Sequence, residues 1–135
     1  MAGYSRTPLL QKLGIKPDYK VIIQNEPANY FDLLSLIPER VSLLKKTTKD
    51  KVDFIHLFVS ERKIFEKEFI TLKDTMKKDG MMWISWPKKA SKVQTDLEET
   101  IIREFGLENG LVDVKICAVS DIWSGLKFVY RLKDR

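Results

Sequence analysis

Few residues in this chain have side chains suited to ligand chemistry, and most of them follow directly on apolar runs. Trp86-Pro87-Lys88-Lys89-Ala90-Ser91-Lys92 leaves one such run and leads towards a helical pattern. Ammonium and hydroxyl groups just ahead of a helix start are suited to holding an anion, because the free N–H groups and the helix dipole favour negative charge there. Lys88, Lys89 and Ser91, with Trp86 beside them, are therefore the candidates for an anion-accepting loop over residues 86–95. Two observations weigh against it: Lys-rich loops are usually just solvated, and Asp96 can itself occupy the positive helix end. Asn25 follows an earlier apolar run, and Ser60 and Arg62 follow a third. In a sheet whose order reverses near them, these residues would flank the same edge, although capping is the favoured role, above all for Ser60. Trp123 lies in Trp123-Ser124-Gly125, read as a hairpin turn in which Gly125 supplies a permissive backbone. Packed on the sheet Trp123 is structural, and exposed it would mark a partner surface.

Other chemistries find less support. His56 is the sole histidine, which excludes a multi-histidine metal site, and its neighbours Ile55 and Leu57 place it in a strand as a structural, hydrogen-bonded imidazole. No metal is expected. Cys117, the single cysteine, lies between Ile116 and Ala118 and reads as a buried, unreactive thiol. A dinucleotide or S-adenosylmethionine site needs glycines after the first strand so that backbone can approach the ligand. That place holds Gln24-Asn25-Glu26-Pro27, so no cofactor is expected.

The elements that must position these residues follow from periodicity. Leu9, Leu10 and Leu13 ahead of Gly14 read as a short helix with a glycine cap, and Pro17-Asp18 as a turn. Residues 19–24 and 52–59 read as buried parallel strands, and residues 41–44 as a short edge strand. A helical stretch from Tyr30 is expected to stop at Pro38. Phe65, Phe69, Leu72 and Met76 form the stripe of a helix capped by Ser60. Asp79-Gly80 reads as a turn into strand 81–86, which Pro87 ends. Thr95 and Glu98 form a capping-box pattern for a helix ending at Gly106. Alternation over residues 112–118 and 126–131 predicts a closing antiparallel pair. The fold class expected is α/β: a three-layer, doubly wound, Rossmann-like, mostly parallel sheet of about six strands with a C-terminal antiparallel hairpin.

With 44% apolar and 32% charged residues, residues 1–135 read as a single globular domain. The start lacks the apolar run of a secretory signal and no stretch is long enough for a membrane span, so a cytoplasmic protein without membrane contact is expected. The net charge of +5 raises nucleic-acid binding, but Asp50 interrupts Lys45, Lys46, Lys49 and Lys51, and acids alternate with Lys63, Lys67, Lys73, Lys77 and Lys78. That mixture argues for a solvated surface.

Three sets of motifs resemble a known family. They are Tyr4-Ser5-Arg6-Thr7-Pro8-Leu9 with Lys12-Leu13-Gly14-Ile15-Lys16-Pro17, Trp86-Pro87-Lys88-Lys89-Ala90-Ser91 with Thr95-Asp96-Leu97, and residues 110–119 with Trp123-Ser124-Gly125-Leu126-Lys127-Phe128. They are similar to the small bacterial domain-of-unknown-function family 3052. That resemblance implies a bacterial cytoplasmic protein and brings no activity or catalytic residue to carry over. The element order also resembles the S-adenosylmethionine-dependent methyltransferase arrangement with one strand-helix unit missing. The expected function is a non-catalytic binding or interaction module taking a small anionic ligand on loop 86–95, its protein partner open. The alternatives are a small divergent transferase and weak nucleic-acid association.

Overall fold

A computed structural model of the chain describes residues 8–44 and 51–135. Residues 4–7 of the N-terminal motif, and Lys45, Lys46 and Lys49 with Asp50, lie outside them. The apolar runs around Val21 and Phe54 form adjacent parallel strands, β1 (Lys20–Gln24) and β3 (Val52–Phe58). The short β2 (Ser42–Leu44) adds to the free side of β1, and β4 (Met76–Pro87) adds to β3, both in parallel. Beyond β4 the hairpin β5 (Leu111–Ala118) and β6 (Trp123–Tyr130) runs antiparallel, giving the order β2-β1-β3-β4-β6-β5. The chain winds one way from β1 and the other way from β3. The sheet is therefore doubly wound, with its order reversing between those two strands.

Two apolar layers hold the helices to the sheet. On one face Phe65, Phe69 and Leu72 of α3 (Arg62–Thr75) and Ile102 of α4 (Glu99–Glu108) pack on Ile55, Leu57, Met82, Ile84 and Phe128. On the other, Leu13 of α1 (Leu9–Leu13) and Tyr30 and Leu34 of α2 (Tyr30–Leu34) pack on Val21, Phe54, Phe58 and Trp83. Alternate residues of β3 and β4 serve opposite layers, so both strands are mostly apolar over residues 54–58 and 81–86. Trp83 donates its indole N–H to the Leu13 carbonyl at 2.9 Å, fixing α1 to the sheet.

Several local expectations are corrected. Helix α2 ends at Ser35, whose left-handed φ of 67° turns the chain before Pro38 is reached. Asp79 and Gly80 form no turn between elements. They lie in an irregularity of β4, where Val52 faces Met76 and Phe54 faces Met81. Helix α4 passes through Gly106, where a Cβ would overlap the Phe128 ring, so this glycine permits close packing rather than a stop. The stop comes at Asn109 and Gly110, the latter at φ 89°. Gly125 lies within β6 instead of a turn, and a Cβ there would meet Val119 at 3.0 Å and Trp83 at 3.1 Å. Cys117 is half-exposed rather than buried, because β5 is the sheet's outer strand and its register shifts between Asp113 and Lys115. No helix among the described residues is long and apolar enough to cross a membrane.

Candidate functional site

Parallel strands end together, so the loops after β1, β3 and β4 line one rim of the sheet. Asn25 follows β1 with φ 59°, Ser60 and Glu61 follow β3, and Lys88 follows β4. The antiparallel β6 begins on that rim, where Trp123 pairs with Pro87. A crevice of ≈ 340 Å³ opens where the strand order reverses, lined by Asn25, Phe58, Ser60, Glu61, Ile64 and Trp123. The Trp123 ring is half-buried and stands edge-on to Phe58 at 5.1 Å. Its backbone is held by the β5–β6 turn: the Trp123 carbonyl accepts from Val119 N–H at 2.9 Å, and Ser120 Oγ accepts from Trp123 N–H at 3.2 Å.

A second crevice, also ≈ 340 Å³, lies beside α4. Trp86, Lys88, Lys89 and Ser124 line it together with Glu98, Glu99 and Thr100 at the helix start. Trp86 is itself a core residue, 6% exposed. No ion pair engages Lys88, Lys89 or Glu98 among the described residues, whereas Glu99 pairs with Arg103. The structure thus brings Trp86, Lys88 and Lys89 together in one crevice and Asn25, Ser60 and Trp123 in another.

Ser91 and Arg62 line neither. Ser91 Oγ donates to the Lys88 carbonyl at 2.6 Å and accepts from Val93 N–H at 3.2 Å, so it shapes the 3-10 turn (Lys89–Ser91). The Arg62 guanidinium pairs with Glu66 at 3.4 Å on the exposed surface. Ser60 does not cap α3, whose first residue is preceded by Glu61 in extended conformation. The Arg62 N–H instead donates to Asp96 Oδ1 at 2.7 Å, a carboxylate borrowed from the loop before α4. Asp96 therefore serves the positive end of α3 and leaves that of α4 to other groups. The capping box does not form either. Thr95 Oγ1 donates to the Ser60 carbonyl at 2.6 Å and accepts from Leu97 N–H at 3.1 Å, tying the two loops together.

Below the rim lies a polar group with no exposure. His56 Nδ1 is 2.8 Å from the Tyr30 hydroxyl, and its Nε2 is 2.8 Å from Ser85 Oγ. A neutral ring donates from one nitrogen and accepts at the other, so both are satisfied. His56 stacks on Phe58 at 4.3 Å. Burial holds its pKa down to about 3, and burial followed by Glu26 raises that of Tyr30. The serine and histidine are within bonding distance, but both are 0% exposed. They brace β3, β4 and α2 and present nothing to a substrate. Among the described residues no three His, Cys, Asp or Glu side chains gather as a metal site.

The residues after β1 do not fit a cofactor of the S-adenosylmethionine or dinucleotide kind. Gln24, Asn25, Glu26 and Pro27 put side chains where such a loop needs bare backbone. Elsewhere, Gly80, Gly106 and Gly125 approach the chain's own atoms, and Gly14 and Gly110 turn it at helix ends. No described glycine is free to form a ligand cradle.

Comparison with known proteins bears out the architecture. The structure of DhpI in complex with SAH superposes with a TM-score of 0.65 at 10% identity, over 93% of this chain and 83% of that one. Magnesium protoporphyrin IX methyltransferase from Synechocystis PCC 6803 with bound SAM gives 0.60 at 11% identity, over 91% and 74%. A SAM dependent methyltransferase from Aquifex aeolicus gives 0.56 at 13%, over 89% and 86%. No family model and no curated protein matches the sequence. The chain has a methyltransferase-like Rossmann fold, and at these identities the likeness concerns fold alone.

Proposed function

We propose that this chain is a single-domain, cytoplasmic binding module of methyltransferase-like fold that takes a small anionic ligand between the Lys88–Lys89 loop and the start of α4. The likeness of its motifs to the bacterial family 3052 belongs to the same reading. The observation that carries it is the meeting of two ammonium groups without ion-pair partners and the first turn of a ten-residue helix in one crevice. Asp96, the competitor for that turn, is engaged at α3. Glu98 on the same wall opposes an anion and so tunes affinity downward.

Thermal-shift titration with inorganic phosphate, pyrophosphate and nucleotides tests this. Stabilisation by at least one of them is expected, weakened roughly tenfold by Lys88→Ala with Lys89→Ala, the loss of about 1.4 kcal/mol of binding. Glu98→Gln is expected to tighten the same binding. No response of the wild type to any of these anions overturns the proposal.

A second reading, a divergent transferase working in the crevice at the strand-order reversal, is favoured by one observation. Asn25, Ser60 and Glu61 meet there, and no described residue bonds to their side chains. Micromolar binding of S-adenosylmethionine by calorimetry, lost in Asn25→Ala, would establish it over the first. The make-up of the β1 loop predicts no such binding.

A further inference from the structure

Lys115 on β5 and Lys127 on β6 stand directly opposite each other in the antiparallel ladder. Like charges across a rung repel and cost stability. The surroundings add more charge of the same sign. Lys115 Nζ donates to the Lys12 carbonyl at 3.3 Å, which sets the end of α1 against β5. The half-buried ammonium of Lys127 is pushed down first by burial, then by Lys115 and by Lys16. Burial pushes the Cys117 thiol up while Lys12, Lys115 and Lys88 oppose it. The charges that shift these two residues belong to lysines, while Asp79 and Arg135 line a separate crevice with Lys127. None of Lys12, Lys16, Lys115 and Lys127 forms an ion pair among the described residues.

Strand alternation puts Trp123, Gly125 and Lys127 on one face of β6, and the register puts Cys117 and Lys115 beside them. The Trp123 ring is half-buried at one end of this row. Lysines from a helix end, a loop and two strands suit a chain of phosphates better than one phosphate group. An aromatic ring on the same face suits unpaired bases, which alone can stack on it.

We propose that this face of the β5–β6 hairpin binds single-stranded nucleic acid, Lys12, Lys16, Lys115 and Lys127 neutralising backbone phosphates while Trp123 stacks on a base. The charge mixing seen along α3 has no bearing on it, because these lysines come from distant parts of the chain.

Fluorescence anisotropy of a labelled oligothymidylate of about 12 nucleotides tests the surface with the full chain. Binding at low salt is expected, with a log–log salt slope of about −3 for four contacts at about −0.7 each. Lys115→Glu is expected to weaken binding at least tenfold, and also to raise Tm, since a glutamate opposite Lys127 turns repulsion into attraction. Lys127→Ala weakens binding with a smaller gain in Tm, because the repulsion is removed and no attraction replaces it. Trp123→Ala lowers affinity while leaving the salt slope unchanged. No binding at low salt, full binding by Lys115→Glu, a lowered Tm in that variant, or equal affinity for a duplex overturns the proposal. Lys88 and Lys89 remain intact in all three variants, so the crevice beside α4 stands or falls separately.

Discussion

Lowering the pH from 7 to 5 protonates one side chain in the unfolded form of this chain, because His56 is the only histidine and no other side chain ordinarily titrates there. In the folded protein its pKa is held at about 3 by burial, against about 6.5 when unfolded. A folded pKa below the unfolded one means that the unfolded chain takes up the proton first. Stability present above pH 6.5 is then lost as the pH falls, down to about 3. At pH 5, about 1.5 units below the unfolded pKa, the loss is about 2 kcal/mol. That is a large part of the 5–15 kcal/mol typical of such domains. Urea unfolding at pH 7, 6 and 5, followed by tryptophan fluorescence, should show the midpoint falling with unchanged slope. His56→Gln retains a donor and an acceptor for Tyr30 and Ser85. It should be less stable at pH 7, yet nearly insensitive to pH in this window. An imidazole NMR signal titrating near pH 6, or an equal loss of stability in His56→Gln, would refute the reasoning.

Two further substitutions probe the elements that build the rim. Asp96→Ala removes the carboxylate that caps α3 and should cost about 1 kcal/mol in a chemical denaturation curve, with Asp96→Asn losing less. Gly106→Ala would raise stability by about 1 kcal/mol on helix propensity alone, but the new methyl overlaps the Phe128 ring. A net loss of about 1–3 kcal/mol is expected from overpacking, read as a lowered Tm.

The strands were legible because burial on both faces writes itself into the sequence: Val21-Ile22-Ile23 is apolar without interruption, and residues 52–59 are broken only by Asp53 and His56. The helix stripe Phe65, Phe69 and Leu72 was legible for the related reason that one face alone meets the sheet. Caps were not. Ser60 and Thr95 have the right side chains at the right spacing, yet the α3 cap comes from Asp96, and a rule about neighbours in sequence cannot see an acceptor brought in by folding. Glycines misled in the same way. Gly106 and Gly125 look like stops and turns, but their lack of a Cβ is used by Phe128 and Trp83, aromatic rings far away in the chain.

The candidate sites follow the same division. That Asn25, Ser60 and Lys88 share one rim was inferable from parallel strands alone, since their ends coincide, whereas Trp123 joins them through the antiparallel pairing of β6 with β4. Which of them share a crevice was not, because that depends on the face each side chain takes: Trp123 joins Phe58 on the α2 side, while Trp86 and Ser124 turn towards α4. The lysine face was hidden more deeply. Lys115 and Lys127 each occupy an ordinary polar position in an alternating strand, and only the hairpin register sets them opposite one another. A one-residue slip in that pairing would move one of them to the other face. The register shift between Asp113 and Lys115 is therefore as much a determinant of the charged surface as the lysines themselves.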